Sequence, residues 1–140
     1  MYKASCLCGE VKIEISGTIS DIIHCHCSRC RKSTGSAYAT TGYLLKTQFL
    51  IINGQSSLKY FQSTEQIRKY FCQHCASPIY SENTNDQQRI RIRLGVLDCD
   101  IIERPSSHNF VTSRACWDQF NDRLPHYKGI EPNRSKLSKE

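Results

Sequence analysis

The sequence predicts a mainly β protein with short helical turns, and three observations carry that prediction. Alternation of apolar and polar residues is unbroken over residues 11–16, "VKIEIS", and again over residues 89–96, "RIRIRLGV". Short apolar runs, "YLL", "FLII", "LKYF" and "KYFC", recur between them at strand length. Turn chemistry separates the runs: Ser16-Gly17, Asn53-Gly54 and the polar stretch "SENTNDQQ".

Taken in order, the first alternating segment places Val11, Ile13 and Ile15 on one face. The second sends Ile90, Ile92 and Leu94 inward and Arg89, Arg91 and Arg93 outward, as a solvated strand face. Those arginines also suit a nucleic-acid backbone, but the aromatic interleaving that stacks on bases is missing. Only two short stretches read as helical, residues 29–36 and 115–120. A chain of 140 residues is the size of one domain. We assign residues 1–128 to it, and residues 129–140 to a polar C-terminal tail expected to fray.

An apolar fraction of 39% makes a thin core that cross-linking would help. Nine cysteines are available for it, an odd number that a complete internal disulfide set cannot use. The start "MYKASCLCGE" has no apolar export segment, and "FLII" is far too short to span a bilayer. The expectation is therefore a cytoplasmic protein without a membrane segment, whose cysteines hold metal. The formal charge of +6 is smaller than it looks. Seven thiolates around two Zn²⁺ ions would halve it.

The spacings support metal. Cys6 and Cys8, like Cys25 and Cys27, are two apart and share a side of an extended segment. On that geometry His24 and His26 face away. Cys27–Cys30 and Cys72–Cys75 have the turn spacing common in zinc proteins. "CLC" with "CQHC" makes a closed four-thiolate set, Cys6, Cys8, Cys72 and Cys75. "CHCSRC" leaves three, Cys25, Cys27 and Cys30, and a three-ligand zinc with a vacancy is the usual catalytic arrangement. His24 or His26 as a fourth ligand would instead close that site and make it inert. His74 reads as solvent-facing, and Cys99 and Cys116 as ordinary buried thiols.

The ordered run "CLCGEV…CHCSRCRKSTGS…YFCQHCASPIY…LGVLD…HNFVTSRACWDQF…LPHY" resembles the glutathione-dependent formaldehyde-activating enzyme family, which includes the centromere protein V domain. The resemblance runs from about Cys6 to Tyr127. It implies small antiparallel sheets in a tent-like arrangement stapled by zinc, with two Zn²⁺ ions per chain. It also implies a structural ion on Cys6, Cys8, Cys72 and Cys75 and a labile, functional one on Cys25, Cys27 and Cys30. The family usually has glycine where this chain has Ala76, so a left-handed conformation there would cost about 1 kcal/mol.

The activity implied is a carbon–sulfur lyase-type reaction. A small thiol, with glutathione as co-substrate, condenses with formaldehyde or a related small aldehyde, or the adduct is cleaved again. Arg29, Arg31 and Lys32 could receive glutathione carboxylates, or form a plain surface charge run. Arg114 and Trp117 are expected near the pocket because the family motif includes them. Two other readings stay open. One is a non-enzymatic zinc module for nucleic acid or protein, ranked second because no long basic extension is present. The other is a scaffold with two structural ions. Oligomeric state leaves no mark on the sequence.

Overall fold

The computed structural model describes residues 1–119 and 121–137. Its elements are β1 (Tyr2–Ser5), β2 (Lys12–Ile15), β3 (Ser20–Cys25), α1 (Ser28–Thr34), β4 (Ala39–Leu45), β5 (Phe49–Asn53), β6 (Leu58–Gln62), β7 (Ile67–Cys72), β8 (Pro78–Asn83), β9 (Asp86–Arg93) and β10 (Ser107–Asn109). Mainly β, with small antiparallel ladders, one helix and short 3-10 turns, is the class that the alternation predicted. Among the described residues no helix is long and apolar enough to cross a membrane.

The chain forms two compact units. The first comprises Met1–Ser20 and Thr41–Glu103. It contains an antiparallel three-stranded ladder in the order β1-β2-β5 and an antiparallel run in the order β4-β9-β8-β7-β6. Val11, Ile13 and Ile15 are all buried, as a period of two requires of one covered face. The turn after β5 depends on Gly54, which has φ 81° and lies against the backbone of the Glu10–Val11 segment. A Cβ there would come within 2.8 Å of Val11 Cα, so no side chain fits.

The cross-strand pairing explains how the arginine strand differs from a solvated face. Tyr43 on β4 lies directly opposite Arg91 on β9. The guanidinium carbons of Arg89 and Arg91 sit 3.8 and 3.9 Å from the Tyr43 ring centroid. Arg93 is buried. Arg89 and Arg91 pack as cation–π layers over the sheet, while Ile90 and Ile92 cover the other face with Leu44. Leu94 does not continue the strand: Leu94–Val96 is a 3-10 turn, and Val96 is the residue it buries. "SENTNDQQ" is mostly strand, with a tight turn at Thr84–Asn85 joining β8 to β9.

The second unit comprises Asp21–Thr40 and the chain from Arg104 onward. β3 and β10 run parallel, with His108 beside His24 and Asn109 beside Cys25. α1 realises the helix expected at residues 29–36, and Gly35 at φ 67° ends it. The helix expected at residues 115–120 is replaced by one turn, Asp118 N–H donating to Ala115 O, and by a 3-10 turn at Val111–Ser113. Phe120 lies outside the described residues.

The polar tail does not fray as expected along Glu131–Ser135. Glu131 is buried and accepts from Asn109 Nδ2 and from Arg134, whose Nη2 donates to Oε2 at 3.1 Å. Ser135 bonds Asp21, and residues 138–140 lie outside the described residues. A buried carboxylate stripped of its cation is costly, so Arg134→Ala should lower unfolding free energy by about 3 kcal/mol. Urea denaturation checks this, and Glu131→Gln in the same background should recover part of the loss.

Candidate metal centres

The first sulfur cluster lies wholly in the first unit. Cys6, Cys8, Cys72 and Cys75 bring their Sγ atoms within 4.8 Å of one another. Cys6 Sγ is 3.5 Å from Cys8 Sγ, which is 3.8 Å from Cys72 Sγ. A disulfide would need about 2.05 Å. A zinc tetrahedron with ~2.3 Å bonds has edges of about 3.8 Å, so the spacing fits zinc well.

Two turns build this cluster. Cys6 and Cys8 meet across a turn closed by Gly9 N–H to Cys6 O, rather than along an extended strand. Cys72 ends β7, and Ala76 N–H donates back to Cys72 O at 2.8 Å. In each turn the residue after the second cysteine is left-handed, Gly9 at φ 80° and Ala76 at φ 63°. Val11 N–H donates to Cys6 Sγ, and Leu7 N–H donates to Ser77 Oγ, which ties the two turns together. The Cys75 thiol is drawn down to about 5, chiefly by its hydrogen bond with the Ser77 hydroxyl. Ala76→Gly should relieve the left-handed strain and raise stability by roughly 0.5–1 kcal/mol, after the added flexibility of the unfolded chain is discounted. The urea midpoint measures it.

The second cluster lies wholly in the second unit. Cys25 ends β3, Cys27 is the N-cap of α1 and Cys30 is in its first turn. Their Sγ atoms also fall within 4.8 Å of one another. Cys30 N–H donates to Cys27 Sγ at 3.3 Å, so the sulfur does the work of a capping oxygen. Hydrogen bonding from Cys25 and Cys30 pulls the Cys27 thiol down to about 2, while the contact with Cys27 pushes Cys25 up. Three crowded sulfurs thus carry one negative charge readily, and a dication is what lets the others ionise. The residues fit a zinc held by three thiolates.

Around this cluster the histidines take other partners. His24 Nδ1 lies 2.7 Å from Thr40 Oγ1, and His26 Nε2 lies 2.8 Å from His108 Nδ1. His26 is completely buried, and burial holds it below its ordinary pKa. Arg31 Nη1 donates to Ser113 O at 3.0 Å, and Arg29 and Lys32 are exposed. Arg114 and Trp117 are exposed as well, and so is His74.

Two expectations need correcting. Cys99 and Cys116 are exposed rather than buried: both lie in irregular loops with no sheet to cover them. The reading from sequence also missed a third donor group, His108, Asp122 and His126. The partners of His108 stand 14 and 18 residues downstream, at no recognisable ligand spacing.

Comparison with known proteins places the chain in a family. The profile of the family described as "Glutathione-dependent formaldehyde-activating enzyme" matches residues 1–113. A relative from Emericella nidulans, named for that activity, is 31% identical over 81 residues, 56% of this chain and 41% of its own length. One from Aspergillus flavus, named likewise, is 25% identical over 77 residues, 54% of this chain and 40% of its own. The chain thus spans well under half the length of the curated relatives it matches. A crystal structure of a Rhodobacter sphaeroides protein shares the fold, with a TM-score of 0.60 at 20% identity over 71% of this chain and 91% of that one. With its residues 1–113 matched from end to end by the family profile, the chain belongs to the glutathione-dependent formaldehyde-activating enzyme family.

Proposed function

We propose that this protein is a cytoplasmic, zinc-dependent enzyme of carbon–sulfur lyase type, joining a small thiol such as glutathione to formaldehyde or a related aldehyde, or reversing that step. The observation that supports it most is the division of seven sulfurs into a closed set of four and an open set of three. Cys6, Cys8, Cys72 and Cys75 would hold one ion for structure, and Cys25, Cys27 and Cys30 the other for chemistry.

An ion held by three thiolates would supply one exchangeable position where a substrate thiol becomes a thiolate. In the overall reaction the sulfur lone pair forms the new carbon–sulfur bond and the carbonyl π pair moves to oxygen. That oxygen takes up the proton the thiol gave up, which leaves a hydroxymethyl thioether. Cys25, Cys27 and Cys30 are positioned by the end of β3 and the start of α1, so their geometry is set before substrate arrives. Arg29 and Lys32, exposed beside them, supply positive charge for a carboxylated thiol, whereas Arg31 is partly committed to Ser113. The arginine strand offers a nucleic acid less than its sequence suggests, because Arg89 and Arg91 stack on Tyr43 and Arg93 is buried.

The test is direct. Zinc-loaded protein is mixed with glutathione and formaldehyde, and hydroxymethyl adduct is followed by NMR against the uncatalysed reaction. Acceleration that vanishes after a mild chelator and returns with zinc is the expected result. A rate equal to the protein-free control, across thiols and small aldehydes, would sink the proposal.

A further inference from the structure

The third donor group lies in the second unit, outside both sulfur clusters, and the reaction above makes no use of it. Backbone pairing sets it up. His108 N–H donates to Pro125 O and Tyr127 N–H donates to His108 O, which places His126 alongside His108 in a parallel bridge. Their rings meet edge-on with centroids 5.2 Å apart. Asp122 is fixed from the other side: its Oδ1 accepts from Leu124 N–H at 3.0 Å and its Oδ2 lies 2.8 Å from His108 Nε2.

All three donor atoms fall within 4.8 Å of one another. His108 is completely buried, while Asp122 and His126 are exposed, so the group opens to solvent from a rigid base. Zinc–nitrogen and zinc–oxygen bonds of about 2.0–2.2 Å need donor separations near 3.4 Å.

The interior side of His108 gives an independent reason for a cation here. His108 Nδ1 meets His26 Nε2 at 2.8 Å, and His26 Nδ1 faces Asp118 Oδ2 at 3.8 Å. Asp118 Oδ2 is buried and has no hydrogen-bond partner among the described residues. Two rings therefore stand in a row between two carboxylates, with three junctions to fill. Two neutral imidazoles bring one N–H each, so the row is one positive charge short, and either a third proton or a metal ion supplies it. If His108 points its N–H at Asp122, the unfilled junction is the buried one, at Asp118. If both tautomers reverse, Asp118 faces an N–H, and His108 Nε2 turns a lone pair toward Asp122 and His126. A lone pair and a carboxylate then meet at 2.8 Å with no hydrogen between them, His126 stands alongside, and a cation satisfies all three. The reversed string is also the usual support for a metal-bound histidine, whose second nitrogen donates inward.

We propose that His108, Asp122 and His126 bind a divalent transition ion of the zinc type, distinct from any ion on the cysteines, with His26 and Asp118 orienting His108 behind it. Two imidazoles and a carboxylate without thiolate favour zinc or its first-row neighbours over calcium or magnesium. Three protein ligands leave room for an exchangeable water.

The full chain is equilibrated in a zinc buffer, and bound zinc per chain is measured by atomic emission for the unaltered protein, His126→Ala and Asp122→Asn. Both side chains are exposed, so both variants should fold. In parallel, cobalt-loaded samples are read for thiolate-to-cobalt absorption, which reports only on sulfur-bound ions. The expected result is one zinc equivalent fewer in each variant with the sulfur–cobalt signal unchanged. An unaltered zinc count overturns the proposal. So does joint loss of the sulfur–cobalt signal, which would make His126 or Asp122 part of the cysteine site. Neither outcome depends on the protein having the activity proposed above.

Discussion

Cys72→Ser is expected to cost the first unit its fold, not just its metal. Cys72 is fully buried at the end of β7, and its backbone anchors the turn that carries Cys75. The cluster joins a turn near the N-terminus to one 64 residues later in the chain, between Cys8 and Cys72. A structural zinc in such a set is worth about 10–16 kcal/mol in peptide systems, as much as the whole stability of an ordinary domain. A serine hydroxyl would replace a buried thiolate with a weak ligand. Thermal denaturation followed by circular dichroism should show the cooperative transition lowered by tens of degrees or lost, with tightly held zinc gone. Cys99→Ser, an exposed site, should stay within about 0.5 kcal/mol of the unaltered chain. A Cys72→Ser protein that melts normally would end the structural role of this cluster.

Legibility in the sequence followed the range of the physics involved. Local alternation located β2 and β9, and ligand spacing grouped the cysteines, because both are properties of a few consecutive residues. The fate of the β9 arginines was not local. It depended on Tyr43 falling opposite Arg91, a register set by pairing across some fifty residues. The same reason hid Glu131: a polar residue near the C-terminus looks solvated until Asn109 and Arg134 are seen to enclose its carboxylate. His108 was visible as part of a motif, but its partners Asp122 and His126 were not. His126 joins it through backbone bonds to β10 and Asp122 through its side chain, which no spacing rule describes. β10 itself is three residues long and carries no apolar alternation.

Cys27→Ser should behave in the opposite way to Cys72→Ser. Cys27 caps α1 with its sulfur, and serine is a better N-cap than cysteine because its oxygen accepts the same N–H strongly. The substitution therefore leaves the helix start intact and removes one donor from the open cluster. Hydrogen bonds from Cys25 and Cys30 favour the Cys27 thiolate, so the donor removed is one already disposed to bind a cation. Cys25 and Cys30 alone make a two-thiolate site that holds zinc loosely. The expected signature is a melting temperature within a few degrees of the unaltered chain, one labile zinc equivalent lost, and thiol–aldehyde condensation slowed by at least about a hundredfold, or roughly 2.7 kcal/mol in the barrier. Steady-state kinetics at saturating zinc measure the last. If the variant condensed thiol and aldehyde as fast as the unaltered chain, the three-sulfur cluster would have no part in the chemistry. A collapse of the fold instead would show that this cluster, too, holds the protein together.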